Sequence, residues 1–227
     1  MTSTKRPLLL GHRGARQPQV AENTIAAFEL ALGAGCDGFE FDVRCTRDRQ
    51  LVVVHDPRLR GLEVAESTYA ELRERANEEL PVLANILQRY GGRAFLDLEL
   101  KVAGMRDLVL KDLRAHAPQR GFVVSSFLPQ ALREIQDAEI PLGLICENAR
   151  QLAAWRELPL QYVIPHYRLA TTRLVEELHA AGKKVLVWTV NGEADARRAT
   201  EWRVDGIITD DPEQMARAVA GDDKFEN

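Results

Sequence analysis

The sequence predicts an α/β protein folded as a closed (β/α)8 barrel, with an extra hairpin arm after the second strand. Three observations point there. Short apolar or alternating runs take turns with longer helical patterns, the signature of β/α repeats on a parallel sheet. Eight such runs, each with a helical segment behind it, fit within 227 residues, which is the arithmetic of this architecture. Charged residues gather at the C-terminal ends of several runs, the face where such barrels carry their chemistry.

The elements read in order as follows. Leu8 to Gly11 (LLLG) is the first strand, and the helix after it opens on Asn23 as N-cap, places Ile25, Phe28 and Leu32 on one face, and ends at Gly33 and Gly35. Gly38 to Val43 (GFEFDV) is the second strand, Phe95 to Leu100 (FLDLEL) the third, Phe122 to Phe127 the fourth and Leu142 to Cys146 the fifth. Tyr162 to Pro165, Lys184 to Val190 (KVLVWTV) and Gly206 to Thr209 complete the eight. Pro129, Thr171 or Thr172, and Asp211 with Pro212 mark helix starts, and Gly182 and Gly221 mark stops.

One apolar run is left over, Leu51 to Asp56 (LVVVHD). Only Arg44 to Gln50 separate it from the second strand, too few for a parallel crossover. It is therefore expected as the returning arm of a hairpin that turns near Asp48 and Arg49 and brings His55 to the barrel mouth. The segment from about 57 to 80 becomes a short rim insertion on a single domain spanning 1–227. Its own small helix is expected near Thr68 to Ala76, where Thr68 and Glu71 fit a capping box.

Composition narrows the function classes. Hydrophobic residues make up 45% and charged ones 28%, as in a soluble globule. The net charge of -4 argues against a nucleic-acid partner, which calls for a basic surplus. Cys36, Cys45 and Cys146 show no paired spacing and read as free, buried thiols in a reducing compartment. The apolar run near the N-terminus, Leu8 to Leu10, is too short for a signal peptide or a membrane anchor. A cytoplasmic location is the expectation; oligomeric state is left open.

Period-two alternation then sorts the strand residues. Glu40 and Asp42 share one face of the second strand while Phe39, Phe41 and Val43 pack toward the helices. Asp97, Glu99 and Lys101 share one face of the third, and a closed barrel has no wet edge to accommodate that charge, so these side chains point into the mouth. Trp188, Asn191 and Asp210 lie at the ends of the last two strands. Carboxylates converging at one rim repel unless a cation sits among them, and oxygen ligands without cysteine select Mg2+ or Ca2+. Glu40, Asp42 and Glu99 are the candidate ligands; the alternative is a salt-bridge network with Arg13 and Lys101. His12 and His55 flank this site and suit a reaction needing one base and one acid. His116 and His179 fall on predicted helices, and His166 follows the sixth strand.

The motifs HRG (His12 to Gly14), ENT (Glu22 to Thr24), EFDV, VVVHD, LELK, SSF (Ser125 to Phe127), VWTVN and DGIITDDP stand in one order from Leu10 to Pro212. This ordered set resembles the glycerophosphodiester phosphodiesterase family. The resemblance implies a metal-dependent TIM barrel that cleaves a glycerophosphodiester, a small-molecule substrate, to glycerol 3-phosphate and an alcohol through a cyclic phosphate. It implies that His12 and His55 act as general acid and base, that Glu40, Asp42 and Glu99 hold the cation, and that Arg13 and Lys101 hold the phosphate. Trp188 would pack against the glycerol carbons, or serve as a core tryptophan. The chain departs from the family pattern after the HD motif, where the paired threonines are missing from the short rim segment, and at PVLANIL, where Ala84 and Asn85 occupy usually acidic places. A lysophospholipase D or phosphoinositide-cleaving enzyme, and a non-catalytic phosphate-binding barrel, are the alternatives.

Overall fold

The computed structural model describes residues 6–136 and 139–219. Eight parallel strands close the barrel. They are β1 (Leu8–His12), β2 (Gly38–Cys45), β6 (Phe95–Leu100), β7 (Phe122–Ser126), β8 (Leu142–Cys146), β9 (Tyr162–Pro165), β10 (Lys184–Val187) and β11 (Gly206–Thr209). β1 pairs with both β2 and β11, which closes the ring. β3 (Leu51–Val53) runs antiparallel to the end of β2, with Val43 opposite Val53 and Cys45 opposite Leu51. The hairpin arm is therefore present, and it turns where expected: Thr46 Oγ1 bonds Asp48 and accepts from Gln50 N, and Arg49 takes a positive φ of 66°.

The rim segment folds as a two-strand ribbon, β4 (Arg58–Leu59) with β5 (Leu62–Glu63), followed by α2 (Tyr69–Arg75). Thr68 and Glu71 close the capping box reciprocally. Val64, Leu72 and Leu80 form a small apolar cluster with Val52 of β3, which ties the segment to the hairpin.

Around the barrel lie α1 (Ile25–Gly33), α3 (Leu83–Tyr90), α4 (Arg106–Ala115), α5 (Pro129–Ile135), α6 (Ala149–Ala153), α7 (Thr172–Ala180), α8 (Glu193–Glu201) and α9 (Pro212–Val219). The main core lies between strands and helices. Phe28 of α1 stacks on Phe39 at 4.1 Å, and Phe41 and Tyr90 meet the pair edge-on. All four rings are fully buried, each worth about 2–3 kcal/mol of apolar burial. A second cluster fills the barrel itself, with Leu10, Phe95, Val123, Ile145, Tyr162, Ile164, Leu186 and Ile208 pointing inward. Apolar residues thus fill the lower barrel, and the charged residues of β2 and β6 are left at the upper end.

Four sequence expectations are corrected or bounded. Thr24, not Asn23, caps α1 by accepting from Ala27 N. β10 ends at Val187 rather than Val190, and Trp188 follows it with a half-buried side chain. Cys45 is half-buried, whereas Cys36 and Cys146 are buried, and all three are free. Gly221 as a helix stop lies outside the described residues.

Gly14 in the turn after β1 has a φ of 91°, and a Cβ there would come within 2.7 Å of the Ala27 backbone on α1. Only glycine meets both demands without strain. Gly14→Ala is expected to cost about 1–3 kcal/mol, read as a lower melting temperature; an unchanged melt would contradict this packing.

Candidate active site

The mouth is assembled from short, local devices. β1 ends in His12, and the turn after it puts Arg13 at φ 55°, so that its backbone N–H donates to Glu40 Oε2 at 2.9 Å. Asn23 sits at φ 60°, a conformation that asparagine tolerates better than most residues. From there its amide donates to Asp42 Oδ2 at 2.8 Å, while its carbonyl oxygen accepts from Asp42 N at 3.1 Å. The residue expected as a helix cap instead clamps a carboxylate.

Glu40, Asp42 and Glu99 are buried, with one oxygen from each within 4.8 Å of the others. Burial first, and the neighbouring Asp42 and Glu99 charges next, push Glu40 well above the usual carboxylate range. Burial and Asp42 raise Glu99 as well. Asp42 goes the other way: burial pushes it up, but Lys101, Arg13 and the Asn23 amide outweigh that and hold it low. Among the described residues Glu40 Oε1 has no hydrogen-bond partner, and Asp42 Oδ1 lies 3.3 Å from Lys101 Nζ without an aligned hydrogen bond. Orphaned buried oxygens among three crowded carboxylates are what a hard divalent cation satisfies, so the donor set fits Mg2+ or Ca2+.

The salt-bridge alternative is also visible around the same carboxylates. Arg13 Nε lies 3.2 Å from Asp42 Oδ2, and its Nη1 donates to Glu22 at 2.8 Å. Lys101 Nζ donates to Glu99 Oε1 at 2.6 Å. Both cations line the same cavity as the carboxylates.

His12 Nδ1 lies 2.7 Å from Asp210 Oδ1 across the closing seam of the barrel. Asp210 is itself held by Asn191, which donates to Oδ2 at 2.7 Å and accepts from Asp210 N at 2.9 Å. Burial raises Asp210, but the His12 hydrogen bond and charge win and keep it below its ordinary value. An ionised carboxylate only accepts, so Nδ1 carries the proton and Nε2 is turned to the site, 3.9 Å from Glu40 Oε2. His55 repeats the device: Nδ1 lies 2.8 Å from Asp56 Oδ1, and Arg44 Nε donates to the His55 carbonyl at 2.7 Å.

A cavity of about 180 Å3 is lined by His12, Arg13, Glu40, His55, Asp97, Glu99 and Lys101 on one side and by Phe127, Ile145, Ile164, Trp188 and Ile208 on the other. Every predicted site residue except Asp42 lines it, and Asp42 lies fully buried with a carboxylate oxygen within 4.8 Å of those of Glu40 and Glu99. Trp188 donates Nε1–H to the Ile164 carbonyl at 3.0 Å and meets Phe127 edge-on. His166 packs against Trp188 outside this lining. His179 bonds Asp205 at 2.9 Å, and His116 caps the end of α4.

The Glycerophosphoryl diester phosphodiesterase family model matches residues 12–99 and 87–214, a span that holds every residue of this site. The chain belongs to that family. It is accordingly a phosphoric diester hydrolase. A glycerophosphodiester phosphodiesterase of Caldanaerobacter subterraneus is 30% identical, over 93% of this chain and 97% of the relative. The solved glycerophosphodiester phosphodiesterase of Thermotoga maritima superposes with a TM-score of 0.80 at 26% identity, covering 94% of this chain and 98% of that one. An Oleispira antarctica phosphodiesterase, solved in complex with the product sn-glycerol-3-phosphate, does so at 0.81 and 25% identity, over 95% and 98% of the two chains.

Asn23, Asp210 and Asn191 are supporting residues that the sequence pattern does not assign to the site. Asn191 and Asp210 were visible as polar strand ends, but a partner 198 positions away from His12 leaves no local pattern. In Asn23 the signal was read as a cap.

Proposed function

We propose that the chain, acting as one catalytic domain, hydrolyses glycerophosphodiesters to glycerol 3-phosphate and an alcohol, with a divalent cation and two histidines. The observation carrying this reading is the pair of histidines, each with Nδ1 fixed on an aspartate, beside a buried carboxylate triad in one cavity. In the first step one histidine takes the proton of the glycerol 2-hydroxyl as its oxygen attacks phosphorus. The bond from phosphorus to the alcohol oxygen breaks, and the other histidine gives that oxygen a proton. Water then adds to the cyclic phosphate with the roles reversed, opening the ring to glycerol 3-phosphate. Arg13 and Lys101 present positive charge to the phosphate oxygens throughout, while Asp210 and Asp56 keep each Nε2 aimed and stabilise the imidazolium that forms. A cation held by Glu40, Asp42 and Glu99 would supply Lewis-acid stabilisation of developing negative charge.

Among the described residues no helix is long and apolar enough to cross a membrane. The three free thiols support a reducing, cytoplasmic setting. Incubation of the cation-loaded protein with several glycerophosphodiesters, reading glycerol 3-phosphate by a coupled assay, tests the reaction; failure to release it from any of them would refute it.

Asn23 provides a further test. It holds Asp42 by two hydrogen bonds, and such orienting groups are typically worth about 10- to 100-fold in metal affinity. Asn23→Ala is expected to weaken Mg2+ or Ca2+ binding by that factor in calorimetry, and unchanged affinity would count against the assigned ligand set.

A further inference from the structure

The reaction above leaves one buried polar side chain of the cavity without a task. Asp97 is wholly buried, lines the same cavity as both histidines, and lies one inward step deeper than Glu99 on β6. Ser125 of β7 donates its hydroxyl to Asp97 Oδ1, which fixes the rotation of the carboxyl. Among the described residues the second oxygen, Oδ2, has no hydrogen-bond partner. An unsatisfied buried acceptor costs on the order of 1–3 kcal/mol, and such groups in native proteins generally have a use. Ile145, Ile164 and Ile208, from the apolar cluster inside the barrel, line the same cavity. Glu40 Oε1 is also unpartnered, but it belongs to the carboxylate triad already described.

We propose that Asp97 recognises the glycerol moiety, its Oδ2 bonding the terminal hydroxyl while the three isoleucines pack against the carbons. The inference rests on the glycerophosphodiester reading and specifies its substrate class. With the phosphate at Arg13 and Lys101 and the 2-hydroxyl within reach of the histidines, the terminal hydroxyl is the remaining polar group on the glycerol. In this reading it extends away from the mouth, toward the layer where Asp97, held by Ser125, lines the cavity. A site built to bond a hydroxyl strongly rejects an analogue that lacks it, because its own polar group is then left unpaired. The same geometry disfavours lysophospholipids, in which an acyl ester occupies that hydroxyl and the isoleucines fill the space the chain would need.

The experiment compares cation-loaded wild type, Asp97→Asn and Asp97→Leu on two choline diesters. One is sn-glycero-3-phosphocholine; the other is 2-hydroxypropyl phosphocholine, which keeps the attacking hydroxyl and lacks the terminal one. Wild type is expected to favour the glycerol diester by at least about 100-fold in kcat/KM. Asp97→Leu should shrink that preference to within about threefold, and Asp97→Asn, which keeps an acceptor oxygen, should retain at least about tenfold. Equal turnover of the two substrates by wild type would overturn the proposal even if the leucine variant failed to fold. Variants that lose activity by one factor on both substrates, leaving the preference intact, would overturn it too, since a structural carboxyl does not sense the hydroxyl. Turnover of neither diester would overturn the glycerophosphodiester reading and this inference with it.

Discussion

His12→Ala and His55→Ala are each expected to lower kcat on glycerophosphodiesters by at least about a hundredfold, since general acid or base help is typically worth about 10²- to 10⁴-fold. The two side chains reach the cavity by different routes. His12 ends a barrel strand and is oriented by Asp210 across the closing seam. His55 follows the returning hairpin arm, with its carbonyl held by Arg44 and its ring by Asp56. In the proposed reaction they would approach the phosphorus from two sides, one as proton acceptor and the other as proton donor. Neither is part of the core clusters, so circular dichroism and melting temperature should stay near wild type. An aryl phosphodiester, whose leaving group needs no proton, separates the roles: the variant lacking the acid should recover on it more than the variant lacking the base. Near-normal kcat in either alanine variant would remove that histidine from the chemistry.

Removing the divalent cation is expected to abolish phosphodiesterase activity, and Mg2+ or Ca2+ to restore it. Without a cation, burial and mutual repulsion hold Glu40 and Glu99 above the usual carboxylate range. Cation binding must then displace protons, so apparent cation affinity should rise with pH. Because the cation binds the folded site, its addition should also raise the melting temperature in a concentration-dependent way. Full activity in excess chelator, with metal content shown to be nil, would contradict the ligand assignment of Glu40, Asp42 and Glu99.

These expectations trace back to features of very different legibility. The barrel, the hairpin arm and the inward carboxylates were readable because strand alternation is local: two charged positions two apart must share a face, and a closed barrel gives that face only one place to point. The short link from Arg44 to Gln50 excluded a parallel crossover in the same direct way. Asn23 was misread because an asparagine just ahead of a helical pattern is what a cap looks like; the choice between it and Thr24 depends on a positive φ and on Asp42, 19 positions away. The end of β10 was placed too late because the apolar run Lys184 to Val190 continues past the last ladder pair at Val187. Arg13 and Lys101, expected to serve the phosphate, are paired with Asp42 and Glu99, the salt-bridge network that the shared strand face offers as the alternative reading. The Asp210–Asn191 support behind His12 exists only once the last strand meets the first.

Phosphorus-31 NMR of the cation-loaded protein with sn-glycero-3-phosphocholine tests the central claim most directly, because it identifies which bond to phosphorus is broken. The structure predicts a growing glycerol 3-phosphate signal with wild type, and loss of that signal with His12→Ala and with His55→Ala. A phosphocholine signal, or an unchanged diester in the presence of bound cation, would contradict it.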